Sequence, residues 1–342
     1  MPEEENTEDN KEAIAEAERN GIMKDPFSPD VVNNEYAFSQ TLAVHSGAIR
    51  SLAFQNGADM MMSGSIDFSN KMYVKNQTSG KYDYLKEVMH HEGFVMDIIP
   101  SITGTGFFSA GKDQRIVLID IEGNPVLEYT GHTGAVNSLS QCVENELVSG
   151  SWDGTAKIWD VETGQCKQTL EGHAHAVSVL TLPNGITLTG SQDKKIRLWY
   201  NGRQEKEFLA HDDIVRGFCE VPQLNGFASI SNDEVVKLWS LDGTHMMDFR
   251  GHAGFIFSID CLPTGEIVTG GDDCTVRLWA DGQCKQTIQL PKTVWSVTHD
   301  KWGDIIVGTE DKKIRTFTRD AVRQDVDGPD FAEYNEECKA QA

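Results

Sequence analysis

Gly172 to Trp199 reads GHAHAVSVLTLPNGITLTGSQDKKIRLW, and this stretch decides the fold. Short apolar runs alternate in it with clusters of Gly, Asn and Asp, a pattern typical of strands joined by tight turns. His173 lies near its start, and Thr189 lies four residues before Asp193. Trp199 follows that aspartate by six residues. The same residue types recur at similar offsets along most of the chain.

The aspartate in this setting recurs seven times. The positions are Asp67, Asp113, Asp153, Asp193, Asp233, Asp273 and Asp311, at spacings of 46, 40, 40, 40, 40 and 38 residues. Six residues after them stand Tyr73, Ile119, Trp159, Trp199, Trp239, Trp279 and Phe317. A period near forty that ends on tryptophan is typical of the blade of a β-propeller. The chain is therefore predicted to be all-β, with seven blades.

The pattern also predicts how the ring of blades closes. Four strand-like segments fill a complete period, and four strands make one blade. The seventh period supplies only three, because the residues after it, RDAVRQDVDGPD, are too polar for an outer strand. Tyr36 to Val44 (YAFSQTLAV) precedes the first histidine as an outer strand precedes the later ones. We predict that this amino-terminal strand completes the seventh blade, because an unpaired sheet edge invites aggregation.

The propeller is predicted to occupy residues 36–318. Residues 1–35 hold eleven acids and three bases and are predicted to be mostly disordered, with a marginal helix at best over residues 10–19. Residues 319–342 hold seven acids and three bases and are predicted to be an acidic carboxy-terminal tail. The two ends thus carry 12 of the 23 units of net negative charge.

Composition excludes several classes of partner. A net charge of −23 argues against nucleic acid and anionic membrane surfaces, because binding phosphate needs a basic footprint. It is compatible with a basic protein partner, and equally with a role in solubility alone. No apolar run is long enough to cross a membrane, and the acidic amino terminus is unlike a secretory signal.

The seven cysteines also point to a compartment. They form no CxxC pair and their number is odd, so neither a disulfide framework nor a zinc site is predicted. A reducing environment, cytoplasmic or nuclear, is therefore expected. No metal and no cofactor is predicted.

The recurring His, Ser or Thr, Asp and Trp have two interpretations. They could form a hydrolase triad, but a catalytic set occurs once, whereas complete sets recur in periods three to six. In WD-repeat proteins, which these residues resemble, the Asp accepts a hydrogen bond from the His ring. The His bonds the hydroxyl, which meets the indole N–H. The predicted blade-locking residues are His132, Ser149, Asp153, Trp159, His173, Thr189, Asp193, Trp199, His211, Ser229, Asp233, Trp239, His252, Thr269, Asp273 and Trp279.

Three blades depart from this pattern. The first has Tyr73, whose phenol can still donate, and the second has an isoleucine, which cannot. The seventh has no histidine, and Val307 and Phe317 replace its polar members. It is predicted to rely on the closing strand and on apolar packing, so loss of Asp311 is predicted to destabilise less than loss of Asp193.

One face of the predicted ring collects the residues best suited to binding. The third and fifth positions after each histidine, and the residue before each recurring aspartate, are expected to face the mouth of the central channel. Arginine and aromatic residues are enriched at protein-binding hot spots. The candidate binding residues are Arg50, Phe94, Trp152, Arg216, Phe255, Phe257 and Trp295. The alternative is that several of these rings plug the channel and pack on one another.

Several stretches resemble one family beyond the generic repeat. They are GHTGAVNSL and GSWDGTAKIW in the third period, HDDIVRGF in the fifth, GHAGFIFSIDCLPTGEIV in the sixth and LPKTVWSV in the seventh. All resemble the propeller of the phospholipase-activating protein family, which are ubiquitin-binding cofactors of an AAA-ATPase segregase. The resemblance covers about residues 36–318 and includes residues of the predicted binding face.

The resemblance implies that the channel-mouth face binds ubiquitin through the apolar patch that ubiquitin surrounds with basic residues. The aromatic residues would meet the apolar centre, and acidic residues would meet the basic rim. Those acidic residues are Asp212, Asp213, Asp272 and Glu310. The family's second ubiquitin-binding domain and its ATPase-binding domain have no counterpart in this sequence. Binding to the segregase is therefore expected only if a longer chain carries those domains.

Three functions remain open from the sequence. The favoured one is a non-enzymatic ubiquitin-binding module in ubiquitin-dependent protein degradation and sorting. The second is a general WD-repeat scaffold that binds a peptide or a modified tail on the same face. The third is an enzyme, which would need one unique polar cluster. The sequence shows no metal-ligand spacing, no phosphate-cradling glycine loop and no lone nucleophile motif, so the chain is predicted not to be an enzyme.

Overall fold

The computed structural model describes residues 35–340 except Asn56, Ala58 and Glu144. This part of the chain forms seven antiparallel sheets of four strands each. The all-β, seven-bladed propeller is thereby confirmed. The predicted disorder of residues 1–35 and the marginal helix within it fall outside the described residues, apart from Glu35. No helix in the part described is long and apolar enough to cross a bilayer.

Each blade consists of an inner, a second, a third and an outer strand, counted from the channel. The inner strands are Ile49–Gln55, Val95–Pro100, Val136–Val143, Val177–Thr181, Val215–Val221, Ile256–Cys261 and Val294–His299. The second strands are Met60–Ser65, Gly106–Gly111, Glu146–Ser151, Ile186–Ser191, Gly226–Ser231, Ile267–Gly271 and Ile305–Thr309. The third strands are Asn70–Lys75, Arg115–Asp120, Ala156–Asp160, Lys195–Tyr200, Val235–Ser240, Thr275–Ala280 and Ile314–Thr318. The outer strands of blades one to six are Tyr82–Val88, Pro125–Thr130, Cys166–Leu170, Arg203–Leu209, His245–Arg250 and Gln283–Gln289.

The outer strand of the seventh blade comes from the amino-terminal side of the propeller. Ala37–Leu42 pairs antiparallel with the third strand of that blade, from Ala37 opposite Thr318 to Leu42 opposite Ile314. The register shifts by one residue after Phe38, a bulge that lets the strand follow the twist of the blade. The predicted closure of the ring by this strand is confirmed.

Adjacent blades pack closely because glycine stands where the second strand meets the next blade. A Cβ on Gly64 would lie 2.4 Å from Val95, and one on Gly270 would lie 2.3 Å from Val294. Both distances are far below van der Waals contact, so a side chain at either position would push two blades apart. Valine at the start of the neighbouring inner strand fills the space that glycine leaves. The inner strands are therefore held in a tight ring, which fixes the residues around the channel mouth.

Residues after the last strand fold back onto the seventh blade. An α-helix, α1, runs from Pro329 to Lys339, with proline at its start and a lysine in its last turn. Tyr334 of this helix stacks on Phe38 of the closing strand with ring centroids 4.9 Å apart. Its hydroxyl donates to the carbonyl oxygen of Gln289 at 2.5 Å. The sequence pattern predicts an acidic tail here and does not predict this packed helix.

Candidate functional site

The four recurring residues of the third blade form one hydrogen-bonded chain. The indole N–H of Trp159 donates to Ser149 Oγ at 2.7 Å. His132 Nε2 lies 2.7 Å from the same oxygen, and its Nδ1 lies 2.8 Å from Asp153 Oδ2. Because indole only donates and carboxylate only accepts, the hydroxyl donates to Nε2 and the ring donates from Nδ1. Every member of the chain is satisfied, as a rigid buried network requires.

The fourth, fifth and sixth blades repeat this geometry. Their three distances also lie between 2.7 and 2.8 Å. The sets are His173, Thr189, Asp193 and Trp199, then His211, Ser229, Asp233 and Trp239, then His252, Thr269, Asp273 and Trp279. The structure thus joins the sixteen predicted blade-locking residues into four equivalent groups. Four copies of one arrangement indicate a structural role rather than a single catalytic centre.

Electrostatics favour the ionised aspartate and the neutral histidine. Burial raises the pKa of Asp153, but hydrogen bonds from Thr155, Thr133 and His132 outweigh it and lower this pKa to about 2. Burial lowers the pKa of His132, and the neighbouring carboxylate offsets only part of that effect. A neutral ring keeps Nε2 free to accept the proton of the serine hydroxyl. The same bonding occurs in a Ser-His-Asp triad, but here Ser149 and the His132 side chain are fully buried and the serine oxygen accepts from the Trp159 indole, so the hydroxyl is not accessible to a substrate.

The first and second blades keep part of the network. In the first, His45 bonds Asp67 at 2.9 Å and Ser63 at 2.7 Å, and the phenol of Tyr73 lies 3.2 Å from the serine oxygen. The predicted substitution of phenol for indole is therefore seen. In the second blade, His91 bonds Asp113 at 3.0 Å and Ser109 at 2.9 Å, and Ser109 also donates to Asn70 Oδ1 of the preceding blade at 3.2 Å.

The seventh blade replaces the histidine with a buried arginine. The Arg315 guanidinium donates to Thr309 Oγ1 at 2.9 Å and to Asp311 Oδ2 at 2.6 Å. A second carboxylate, Glu337 of α1, accepts from it at 2.8 Å. The expected apolar packing is present too, because Phe317 meets Phe38 of the closing strand edge to face. Asp311 is therefore part of an ion network, so its loss is no longer expected to destabilise the protein less than loss of Asp193.

Four side chains from consecutive blades form an arc around the channel mouth. Trp295 of blade seven stacks on Phe257 of blade six, with centroids 4.3 Å apart and planes at 26°. The Arg50 guanidinium of blade one lies 4.1 Å above the Trp295 ring. That of Arg216 in blade five lies 5.6 Å from the Phe257 ring. We call these four residues the aromatic arc. They occupy equivalent inner-strand positions, which is why the repeat brings them together.

The other predicted binding residues divide into two groups. Trp152 lines the same channel, about 490 Å³ in volume, as the four arc residues, and half of its side chain is exposed. Phe255 is 42% exposed and meets Phe257 edge to face at 6.3 Å. Phe94 lies just before the inner strand of blade two and packs against Phe68 of blade one, with ring centroids 5.7 Å apart. Phe68 follows Asp67 with a positive φ, and the alignment of repeats gives no signal for it.

Both interpretations of the aromatic residues therefore hold in part. Phe257 and Trp295 are half-buried by stacking, as the plugging hypothesis expects, but the channel beside them is not filled. Phe255 and Trp152 expose their rings around that mouth. Exposed aromatic rings around a channel mouth on a folded protein are candidates for an interaction site.

Acidic side chains surround the arc on the same face. Asp212, Asp272 and Glu310 are exposed, and Asp213 is half-buried. Within the described residues none of these four carboxylates takes part in an ion pair. These carboxylates leave negative charge without a cationic partner near the arc, although Asp272 accepts from the Thr293 hydroxyl at 3.3 Å. Such a surface is complementary to an apolar patch with basic surroundings.

Inside the mouth the charges differ from those of the rim. Burial, with the nearby Arg216 cation, lowers the pKa of Arg50 to about 10. Burial raises the pKa of Asp97, on the inner strand of blade two, to about 6. That carboxyl already accepts from Ser51 Oγ at 2.9 Å and from the Leu139 N–H at 2.7 Å. In the part of the chain that the structure describes, no group of three or more His, Cys, Asp or Glu could hold a metal ion.

Comparison with known proteins agrees with this architecture. The family described as WD domain, G-beta repeat, matches residues 37–73, 123–160, 164–200 and 243–280. The ubiquitin homeostasis protein lub1 of Schizosaccharomyces pombe is 36% identical over 278 residues, which are 76% of this chain and 38% of lub1. This chain thus spans well under half the length of that relative. The nuclear distribution protein PAC1 of Arthroderma otae is 28% identical over 81% of this chain and 67% of its own length.

A solved structure narrows the assignment from WD-repeat proteins in general to one family of propellers. The crystal structure of the WD40 β-propeller domain of Doa1 superposes with a TM-score of 0.78 and is 32% identical in sequence. The match covers 86% of this chain and 100% of the solved one. Both the repeat matches and the whole propeller therefore agree with the resemblance seen in the sequence. The chain belongs to the WD-repeat proteins, and its propeller is that of the phospholipase-activating protein family.

Proposed function

We propose that this chain is a non-enzymatic ubiquitin-binding module acting in ubiquitin-dependent protein degradation and sorting. The observation that carries the proposal is the aromatic arc with the free carboxylates around it. Ubiquitin offers a complementary surface, an apolar patch surrounded by basic residues. The relative lub1 is named for ubiquitin homeostasis, which supports the same partner.

We expect the aromatic arc to contribute most of the binding free energy, and the carboxylates around it to contribute selectivity. Phe255, which stands out from the arc beside Phe257, has a ring that is 42% exposed, and its loss removes apolar contact area from the face. Truncating a central aromatic anchor of an interface typically costs about 2 kcal/mol or more. Rim charges contribute mainly to the association rate and to the choice of partner. Affinity is therefore expected to depend on the rings, and salt dependence on the carboxylates.

The test is a titration of isotope-labelled ubiquitin with this chain, followed by NMR. Shifts confined to the apolar patch of ubiquitin are expected, and Phe255→Ala should weaken binding at least about tenfold. Tyr200→Ala is the matched control, because that ring is 48% exposed at the far end of a third strand, away from the Asp193 turn. Absence of shifts with a folded protein would leave the general WD-repeat scaffold as the function.

The cellular setting follows from the same proposal. The cysteines whose side chains are described are free thiols, which suits a cytoplasmic or nuclear location. Contact with an AAA-ATPase segregase is proposed only for a longer chain that carries the family's further domains. Fractionation with compartment markers would test the location, and a predominantly secreted protein would contradict it.

A further inference from the structure

Most arginines in the described part of this acidic protein are paired with carboxylates. Of the ten arginines in the described part of the chain, seven form ion pairs: Arg115, Arg197, Arg250, Arg277, Arg315, Arg319 and Arg323. Arg203 lies exposed on an outer strand. The remaining two, Arg50 and Arg216, both line the channel mouth. Two of the three arginines without an ion pair thus lie where a ligand would enter.

Arg50 makes fewer hydrogen bonds than Arg216. Its guanidinium has no hydrogen-bond acceptor among the described residues, and its Nε is buried. Arg216 uses its Nε to donate to Asn232 Oδ1 at 2.8 Å, which leaves its terminal N–H groups free. A guanidinium that stacks on a ring through its face still offers its N–H edge to a planar acceptor. Both cations are therefore held in place by aromatic rings with donors available.

An unpaired acceptor lies in the wall of the same channel. Asn137 of blade three donates from Nδ2 to the Val177 carbonyl oxygen at 3.1 Å, which fixes its amide. Its Oδ1 is buried and accepts no hydrogen bond from the described residues. A buried acceptor without a donor is unfavourable unless a ligand or water supplies one. The mouth thus presents guanidinium donors and an amide acceptor together.

We propose that the channel mouth binds the free carboxy-terminal end of an extended peptide. The terminal carboxylate accepts from Arg50 and Arg216, and a peptide N–H near the terminus donates to Asn137 Oδ1. A channel of about 490 Å³ lies within the size range of ligand-binding cavities, and an extended chain end can enter it. The exposed Asp212, Asp272 and Glu310 disfavour a doubly charged phosphate, so a single carboxylate on a neutral or basic tail fits best.

This subsite goes beyond the proposed function, because it requires no ubiquitin. It is tested by isothermal calorimetry on the whole chain with acetylated hexapeptides of the sequence Gly-Leu-Ser-Leu-Gly-Gly. One peptide ends in a free carboxylate and the second in a carboxamide. A third has the carboxamide and a glutamate in place of the serine. The free acid is expected to bind at least about tenfold more tightly than either amide, because charge-assisted hydrogen bonds to both arginines are lost.

Variants assign the effect to the two cations. Arg50→Gln and Arg216→Gln should each remove most of the preference for the free acid, with melting curves showing that the fold is kept. Arg203→Gln is the matched control and should leave the preference unchanged. Equal affinities for acid and amide, or no binding of any peptide up to about 1 mM, would overturn the inference. Equal binding of the glutamate peptide would overturn the assignment to a chain end.

The ubiquitin titration separates the two ideas. Ubiquitin shifts without discrimination between the peptides would refute this subsite and leave the proposed function intact. Discrimination between the peptides without ubiquitin shifts would support the subsite and contradict the proposed function.

Discussion

Replacing Asp153 with alanine removes the acceptor at the end of one blade-locking network. Oδ2 accepts from His132 Nδ1 at 2.8 Å and from the Thr133 N–H at 3.0 Å. Oδ1 accepts from the N–H and the hydroxyl of Thr155 at 2.9 and 2.7 Å. Alanine keeps the backbone and loses all four hydrogen bonds. The variant therefore isolates the contribution of the carboxylate to blade stability.

The size of the effect follows from the exposure of each partner. The His132 side chain is fully buried, so its Nδ1–H is left without an acceptor at a cost of about 1–3 kcal/mol. Asp153 itself is 9% exposed, and water can replace it at the two threonines, which contribute about 1 kcal/mol together. The free energy of unfolding should fall by about 3 kcal/mol. For a domain of this size, with about 2.1 cal/mol/K of unfolding entropy per residue, the thermal midpoint should fall by about 5 °C.

Urea-induced unfolding followed by tryptophan fluorescence, with a calorimetric melt, would measure this loss. Glu162→Ala, at an exposed turn of the same blade, is the control and should change the free energy of unfolding by less than about 0.5 kcal/mol. Asp153→Asn should lose less than the alanine variant, because the amide oxygen still accepts one hydrogen bond. A loss below about 1 kcal/mol for Asp153→Ala, or one equal to the control, would refute the locking role.

Three further outcomes are expected. Because the pKa of Asp153 is lowered from 3.8 to about 2, its contribution is complete above about pH 4 and lost as pH falls towards 2. The difference in unfolding free energy between wild type and Asp153→Ala should thus shrink in urea titrations from pH 5 to pH 2, and a constant difference would argue against it. Ending the chain after Gly328 should lower the thermal midpoint, because burying one aromatic side chain contributes about 1.5–3 kcal/mol, whereas ending it after Lys339 should not. Gly270→Ala should cost about 1–3 kcal/mol by denaturation through its clash with the next blade, and Gly57→Ala, with open space around its Cβ position, should be near neutral; equal losses would contradict the packing argument.

The repeat made most of the fold predictable. One period fixes the strand order of a blade, so seven aligned aspartates predict both the number of blades and the strand missing from the last one. The arc was predictable for the same reason, because equivalent positions in adjacent blades meet around the channel. Phe94 shows the limit of this reasoning. It shares the alignment with Phe255 but packs locally against Phe68, which lies outside the repeated positions.

Features outside the repeat could not be read in this way. The helix α1 has little apolar sequence, and its contacts with Phe38, Gln289 and Arg315 explain why it packs. The arginine of the seventh blade did leave a signal. Arg197 and Arg277 stand at the same offset from their aspartates, so a cation was available where the histidine is missing. Treating an arginine at that offset as an alternative to the histidine would have predicted the role of Arg315.

The closing strand has a consequence for biosynthesis. Ala37 pairs with Thr318, so the first strand of the propeller to leave a ribosome is the last to find its partner. With about 280 residues between them, and translation at about 5–20 residues per second, that strand waits for about 15–60 s. During this time its backbone donors and acceptors are open to any other sheet edge. Newly made chains are therefore most vulnerable to mispairing, and most dependent on chaperones, before the seventh blade emerges.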